Sequence, residues 1–321
     1  MKIAILGTGT MGLGIGSTLI QKKHTLSIYN RTPGNAQPLI DKGARFHSTV
    51  AKAIEGAEIV ILMPWNKDAL ESMSTGDTGT FNNAAENQIF INMSTQLPQT
   101  ATWEASHYAK RKAHFLDAPV HGSKGEAYSG GLWIMVGGDK DIYTSVIPLF
   151  EAIGESHHYM GKHGNGYATK LCGNHLVSSI VAALGESITL AKKAGLDLKE
   201  VLGVWMDSDF RSPVVEGVGG SMISRDFEVS FHLRTMVKDT ELIRMLLGIK
   251  TIARKQRMMI NKWQDVNEGW ETDDYIQTKL TTLIGHSMTN IESDEKETSK
   301  IIRAISKHVY LDNEEKNKYL C

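Results

Sequence analysis

Lys2-Ile3-Ala4-Ile5-Leu6-Gly7-Thr8-Gly9-Thr10-Met11-Gly12 is the stretch that decides the fold. Four consecutive apolar residues, Ile3 to Leu6, read as a buried β-strand. They run into a Gly-x-Gly-x-x-Gly hexamer, and Leu13–Gln21 follows with helical spacing. Gly7 permits the tight turn, Gly9 lets the backbone approach a pyrophosphate, and Gly12 lets the helix pack close to the strand. Thr8, Thr10 and Met11 complete the loop. The helix start then offers unpaired N–H groups and a positive dipole end to the phosphates. Such a hexamer alone is weak evidence. Entered by a strand and left by a helix, it reads as a dinucleotide cradle.

Short apolar runs continue outward from this turn. Thr25–Tyr29, Glu58–Met63, Gln88–Asn92, His114–Asp117 and Leu132–Val136 read as further strands, with helical patterns between them. That alternation predicts βαβ units: a doubly wound, Rossmann-type parallel sheet covered on both faces. All prolines but Pro213 lie at or before Pro148, so the second half can carry long helices. The expected division is a dinucleotide-binding α/β domain over 1–163 and an all-helical domain over 164–321. The helical part opens with Tyr167–Lys193, apolar on more than one face through Leu171, Val177, Ile180, Val181, Leu184, Ile188 and Ala191. Such a helix is expected to lie between domains or between subunits, which predicts a homodimer or homotetramer. Lys192, Lys193 and Gly195 sign its end, and Asp197 with Glu200 reads as the cap of the next helix. Ser230–Leu247 reads as another helix. The charged stretch 286–321 reads as a solvated helix.

The end of the second strand reports on the dinucleotide. A carboxylate there would hold the ribose of NAD. Asn30-Arg31-Thr32 stands there instead. Asn30 brings no charge to repel a 2′-phosphate, and Arg31 can pair with one. The reading is NADP(H), with NAD(H) as the lesser possibility.

Composition narrows the partners. In 321 residues, 35 Lys+Arg stand against 36 Asp+Glu, giving a net charge of -1. This balance makes no electrostatic case for nucleic acid or an anionic membrane. Mean hydropathy is -0.22, and apolar runs fall short of the ~18 residues a membrane span needs. The start does not read as a secretory signal. The two cysteines, Cys172 and Cys321, form no disulfide framework. A cytoplasmic location is expected.

With the glycine hexamer, the other motifs form an ordered series: Asn92-Met93-Ser94-Thr95, Asp117-Ala118-Pro119-Val120-His121-Gly122, and Gly131-Leu132-Trp133-Ile134-Met135-Val136-Gly137-Gly138. Gly164-Asn165-Gly166 with Lys170 and Asn174, then Lys238-Asp239, complete it. In order and spacing, residues 1 to about 285 resemble the β-hydroxyacid dehydrogenases. That group includes 3-hydroxyisobutyrate dehydrogenase and the glyoxylate and succinic semialdehyde reductases. The resemblance implies a cleft site between a Rossmann-type and a helical domain, a nicotinamide cofactor and a small substrate bearing a carboxylate and a carbonyl or hydroxyl.

Lys170 matches the family's catalytic lysine. Its chemistry also stands alone, because hydride reduction of a carbonyl needs a proton donor for the oxygen. Asn174, four residues on, shares its helix face and can orient substrate or lysine. His121-Gly122-Ser123 occupies the loop where the family usually has Ser-Gly-Gly, which holds the substrate carboxylate. Here His121 or Ser123 takes over the lost hydroxyl, or only the backbone amides act. Lys238 matches a lysine near the substrate and nicotinamide, with Asp239 orienting it. Ser94 and Thr95 lie where hydroxyls can reach the nicotinamide ribose, and Met63-Pro64 where the cofactor passes. Phe231 packs on the cofactor or in the core. His157, His158 and His163 read as a solvated loop rather than a metal site. Cys172 reads as a buried thiol. The rival readings are an imine reductase, in which an acid or tyrosine typically replaces the lysine, and a cofactor-binding scaffold without turnover.

Overall fold

The computed structural model describes residues 1–226 and 233–247. Phe231 and the 286–321 stretch lie outside the described residues. The strands are β1 (Lys2–Leu6), β2 (Thr25–Tyr29), β3 (Arg45–Phe46), β4 (Ile59–Leu62), β5 (Ile89–Asn92), β6 (His114–Asp117), β7 (Val120–His121), β8 (Leu132–Gly138) and β9 (Gly154–Gly161). Helices of the first half are α1 (Thr10–Gln21), α2 (Gln37–Ile40), α3 (Val50–Ile54), α4 (Lys67–Ser74), α5 (Thr80–Asn83), α6 (Pro98–Ala109), α7 (Lys124–Ser129), α8 (Lys140–Ser145) and α9 (Ile147–Ile153). The second half carries α10 (Asn165–Lys193), α11 (Leu198–Asp207), α12 (Pro213–Ser224) and α13 (Leu233–Leu247).

The sheet order is β3-β2-β1-β4-β5-β6-β8-β7, with β9 on the other side of β8. From β3 through β6 every pairing is parallel. Residues along these strands alternate between two cores, one on each face. Ile3, Ile5, Ile59, Ile61 and Ile91 lie in one. Ala4, Leu6, Val60, Leu62 and Phe90 lie in the other. Both faces are therefore dry, and these strands read as continuous apolar runs. Strand order reverses beside β1, and the glycine turn sits at the carboxyl end of β1. Such a switch point is where open α/β sheets bind ligands.

The sheet departs from the expected all-parallel series at β8, which runs antiparallel to β6 and β7. The connection from β6 holds only two-residue β7 and six-residue α7 before the chain turns at Gly130 (φ 76°). A return to the same end needs a longer crossover. His157 and His158, expected in a loop, lie in β9, where Tyr143 Oη and His157 Nδ1 are 2.7 Å apart.

Helix α10 runs for 29 residues. Its first turn is seated on the sheet by a carboxylate. Asp117, at the end of β6, accepts from Gly164 N at 2.8 Å and Tyr167 N at 3.0 Å. Gly166 makes this approach possible, since a Cβ there would stand 2.5 Å from the carbonyl oxygens of Asp117 and Met135. Within the described residues α10 is covered on one face only. Tyr167, Lys170, Leu171, Asn174, Ser178, Leu184 and Ala191 are buried, while Leu176 is 60% and Leu190 71% exposed. Cys172 is likewise exposed, not buried, because two residues from Lys170 it points away from the buried stripe. As expected, Asp197 caps α11 by accepting from Lys199 N and Glu200 N. Among the described residues no helix is long and apolar enough to cross a membrane.

Candidate active site

At the glycine turn the backbone geometry meets the three demands a pyrophosphate makes. Gly7 has φ +107°, and a Cβ there would lie 2.7 Å from Met63 O. Met63, with Pro64, thus forms the wall of the turn at the end of β4. A Cβ on Gly12 would overlap Gly7 O at 2.0 Å, so only glycine lets α1 start this close to β1. Gly9 faces open space and is the N-cap of α1 without a capping side chain. The first N–H groups of α1 therefore point into a gap of the right character for phosphate oxygens. Thr10 and Met11 open α1. Thr8 is buried, and its Oγ1 makes no hydrogen bond among the described residues.

Asn30 is built into this turn. Its Oδ1 accepts from Thr8 N at 3.0 Å and its Nδ2 donates to Thr32 O at 2.8 Å. The side chain is spent on holding β1 and β2 ends together. Arg31 and Thr32 are exposed beside it.

Two strands along, Ser94 is tied inward. Its N and Oγ both donate to Asn92 Oδ1, at 3.0 and 2.7 Å, and Gln96 Nε2 donates to Ser94 Oγ. Asn92 Nδ2 in turn donates to both carboxyl oxygens of Glu104, and Tyr167 Oη to one of them. Burial raises the Glu104 carboxyl to about 8. Thr95 is half-buried, and its carbonyl accepts from Lys238 Nζ at 3.3 Å. Residues far apart in sequence, on β5, α6, α10 and α13, are thus joined at the carboxyl edge of the sheet.

Lys170 is 9% exposed on the buried face of α10, one turn before Asn174. Burial lowers its ammonium to about 8, against a raising influence from Asp239 and a further lowering one from Lys238. Asn174 Nδ2 donates to Asp239 Oδ2 at 2.7 Å, and Lys238 Nζ lies 2.7 Å from Asp239 Oδ1. Asp239 thus ties together Asn174 and Lys238.

The 121–123 loop divides its labour. Gly122 keeps φ +115°. Ser123 caps α7, and its N and Oγ both donate to Glu126 Oε2, at 2.7 and 2.6 Å. Its hydroxyl is committed to that capping box. His121 turns to α10, with Nδ1 3.1 Å from Lys170 Nζ. Burial, then the Lys170 charge, lowers His121 to about 4, so it is neutral near neutral pH.

Sequence reasoning named Lys170, Asn174, Lys238 and Asp239 as site residues, and in the structure they lie close to one another. It did not find the anchoring role of Asp117, the Asn92–Glu104–Tyr167 cluster, or the His121–Lys170 contact. For the cluster a signal existed: Glu104 interrupts the buried face of a helix between Ala101 and Tyr108.

Residues 2–161 match the family described as the NAD binding domain of 6-phosphogluconate dehydrogenase. Residues 164–255 match that described as the NAD-binding domain of NADP-dependent 3-hydroxyisobutyrate dehydrogenase. An oxidoreductase of Bacillus subtilis (strain 168), YkwC, is 32% identical over 74% of this chain and 82% of its own length. Chloroplastic glyoxylate/succinic semialdehyde reductase 2 of Arabidopsis thaliana is 28% identical over 78% of this chain and 69% of its own. The solved 3-hydroxyisobutyrate dehydrogenase of Mycobacterium tuberculosis superposes with a TM-score of 0.74 at 24% identity, covering 82% of this chain and 93% of that one. That last likeness bears on the fold.

Proposed function

The chain belongs to the NAD(P)-dependent β-hydroxyacid dehydrogenase family, and on that premise we propose an NADP(H)-dependent enzyme for a small carboxylate bearing an aldehyde, ketone or hydroxyl. The substrate class is that of 3-hydroxyisobutyrate, succinic semialdehyde or glyoxylate. The observation that carries this reading is the buried ammonium of Lys170 beside Asn174 and the Lys238–Asp239 pair. A bound nicotinamide supplies or accepts the hydride. Gly7 to Gly12 hold its pyrophosphate, Met63 and Pro64 flank it, and Arg31 takes the 2′-phosphate, next to Asn30 and Thr32. Ser94 and Thr95 border the nicotinamide end.

Lys170 gives its proton to the substrate oxygen in reduction and takes it back in oxidation. Asn174, held by Asp239, orients that oxygen. Gly122 offers its amide to the carboxylate, and Lys238 offers charge. Ser123 supports the loop indirectly, because both its backbone N–H and its hydroxyl are given to Glu126 at the start of α7. Lysine at this position favours carbonyl over imine reduction, and its presence favours an enzyme over a scaffold. We place the domain division at 163/164; that one family match ends at 161 and the other begins at 164 supports it. We place the protein in a reducing compartment, as a dimer or larger through the exposed apolar face of α10.

The test is NADPH consumption on a panel of glyoxylate, succinic semialdehyde, methylmalonate semialdehyde and a cyclic imine. Turnover on a carboxylated aldehyde is expected, and Lys170→Met is expected to lose at least a hundredfold in kcat. Turnover on the imine alone, or an active Lys170→Met, would sink the reading.

A further inference from the structure

Lys170 is buried, yet each turnover must change its proton. Ammonium becomes amine in reduction and amine becomes ammonium in oxidation. The groups facing it on α13, Lys238 and Asp239, are paired with one another, and Asp239 also holds Asn174. The group facing it from β7 is His121, whose Nδ1 stands 3.1 Å from the amine and whose side chain is half-buried.

A second, independent feature makes room for that imidazole. Gly173 lies inside α10, where glycine costs helix stability relative to alanine. A Cβ there would stand 2.3 Å from His121 Nε2 and 2.5 Å from Cε1. The ring thus lies against the bare backbone of α10, one turn from Lys170, and a side chain at 173 would displace it.

We propose that His121 is the proton conduit between the buried Lys170 amine and solvent. The proposal rests on the assignment of Lys170 above. In oxidation, the substrate O–H bond breaks and an N–H bond forms on Lys170, as hydride leaves the substrate carbon for the nicotinamide. A Lys170 N–H bond then breaks and a His121 Nδ1–H bond forms, giving imidazolium. The imidazolium releases its Nε2 proton to water, which leaves the Nδ1–H tautomer, and a water-mediated shift of the remaining proton from Nδ1 to Nε2 restores the resting ring. Reduction runs the same steps backwards. The histidine carries a proton and no electrons. Because it rests neutral, its Nδ1 is open to accept from the ammonium, which places the resting ring proton on Nε2.

Two measurements test this. Histidine ring NMR on the unliganded protein is expected to show His121 with Nδ1 unprotonated and Nε2 protonated. In Lys170→Met its titration is expected to move up, toward the ordinary histidine range. A titration unmoved by that substitution overturns the pairing, whatever the substrate proves to be. In turnover, His121→Ala is expected to lose roughly a hundredfold in kcat, and free imidazole to restore part of it in proportion to concentration. The conservative His121→Asn, which keeps a polar side chain but carries no proton, is expected to stay slow and to respond less. Unchanged kcat and no response to imidazole in both variants overturn the conduit. If Lys170→Met itself stays active, the failure belongs to the assignment of Lys170 rather than to His121.

Discussion

Burial disfavours the charged form of Lys170 and lowers its ammonium to about 8. In the proposed mechanism carbonyl reduction consumes its ammonium proton, so kcat in that direction is expected to fall as pH rises through about 8. Oxidation needs the neutral amine and is expected to rise over the same range. Matching pH–rate profiles in the two directions would refute this. Arg31 is exposed beside an Asn30 that is locked into the glycine turn. Arg31→Asp is therefore expected to remove the cation without disturbing the turn and to cut the preference for NADPH over NADH at least tenfold. Steady-state comparison of the two cofactors checks it. A preference that persists would mean that another cation serves the 2′-phosphate. Both residues were legible as single letters at motif positions. The commitment of the Ser94 and Ser123 hydroxyls to Asn92 and Glu126, two and three residues away, went unread because those near neighbours were not weighed as partners.

At the scale of elements, the junction of α10 with the sheet depends on missing side chains and one carboxylate. Gly166→Ala places a methyl 2.5 Å from two carbonyl oxygens, so the helix or the strands must shift. A loss of roughly 1–3 kcal/mol is expected, read by urea denaturation. A stability unchanged within error would mean α10 sits less tightly than described. Asp117→Ala removes the acceptor of Gly164 N and Tyr167 N. Two buried donors then lose their partner, each at a cost of about 1–3 kcal/mol. The main strands were legible as apolar runs because both their faces are dry. The others were hidden for identifiable reasons. Arg45–Phe46 and Val120–His121 are two residues each. Gly154–Gly161 is a polar, half-buried strand whose apolar residues do not alternate.

Across the whole molecule, the buried Glu104 cluster joins β5 to α6 and α10. Its carboxyl is raised from its ordinary 4.5 to about 8, chiefly by burial. The sign follows: the folded state holds a proton that the unfolded chain has already lost. Its contribution to stability is full below about 4.5 and is lost as pH rises toward about 8. Glu104→Gln removes the titration and is expected to flatten the decline of Tm over that window, relative to the parent protein. Equal slopes would show that Glu104 is ionised in the fold. At the same scale, Leu176 and Leu190 on α10 and Phe210 beyond α11 are exposed apolar groups. Light scattering is expected to return at least a dimer, and a monomer at micromolar concentration would contradict that.

By itself the sequence determined the doubly wound frame, the glycine turn and the spacing that sets Lys170 one helical turn before Asn174. These are written in local signals: apolar runs that only a two-faced burial permits, glycines that only a tight approach requires, and residues one helical turn apart. Tertiary structure alone decided the direction of β8, the seating of α10 on Asp117 and the meeting of His121 with Lys170. Those depend on contacts between residues tens of positions apart, such as the 49 that separate His121 from Lys170. Such contacts exist only once the sheet and α10 have packed, and no period or spacing along the chain encodes them.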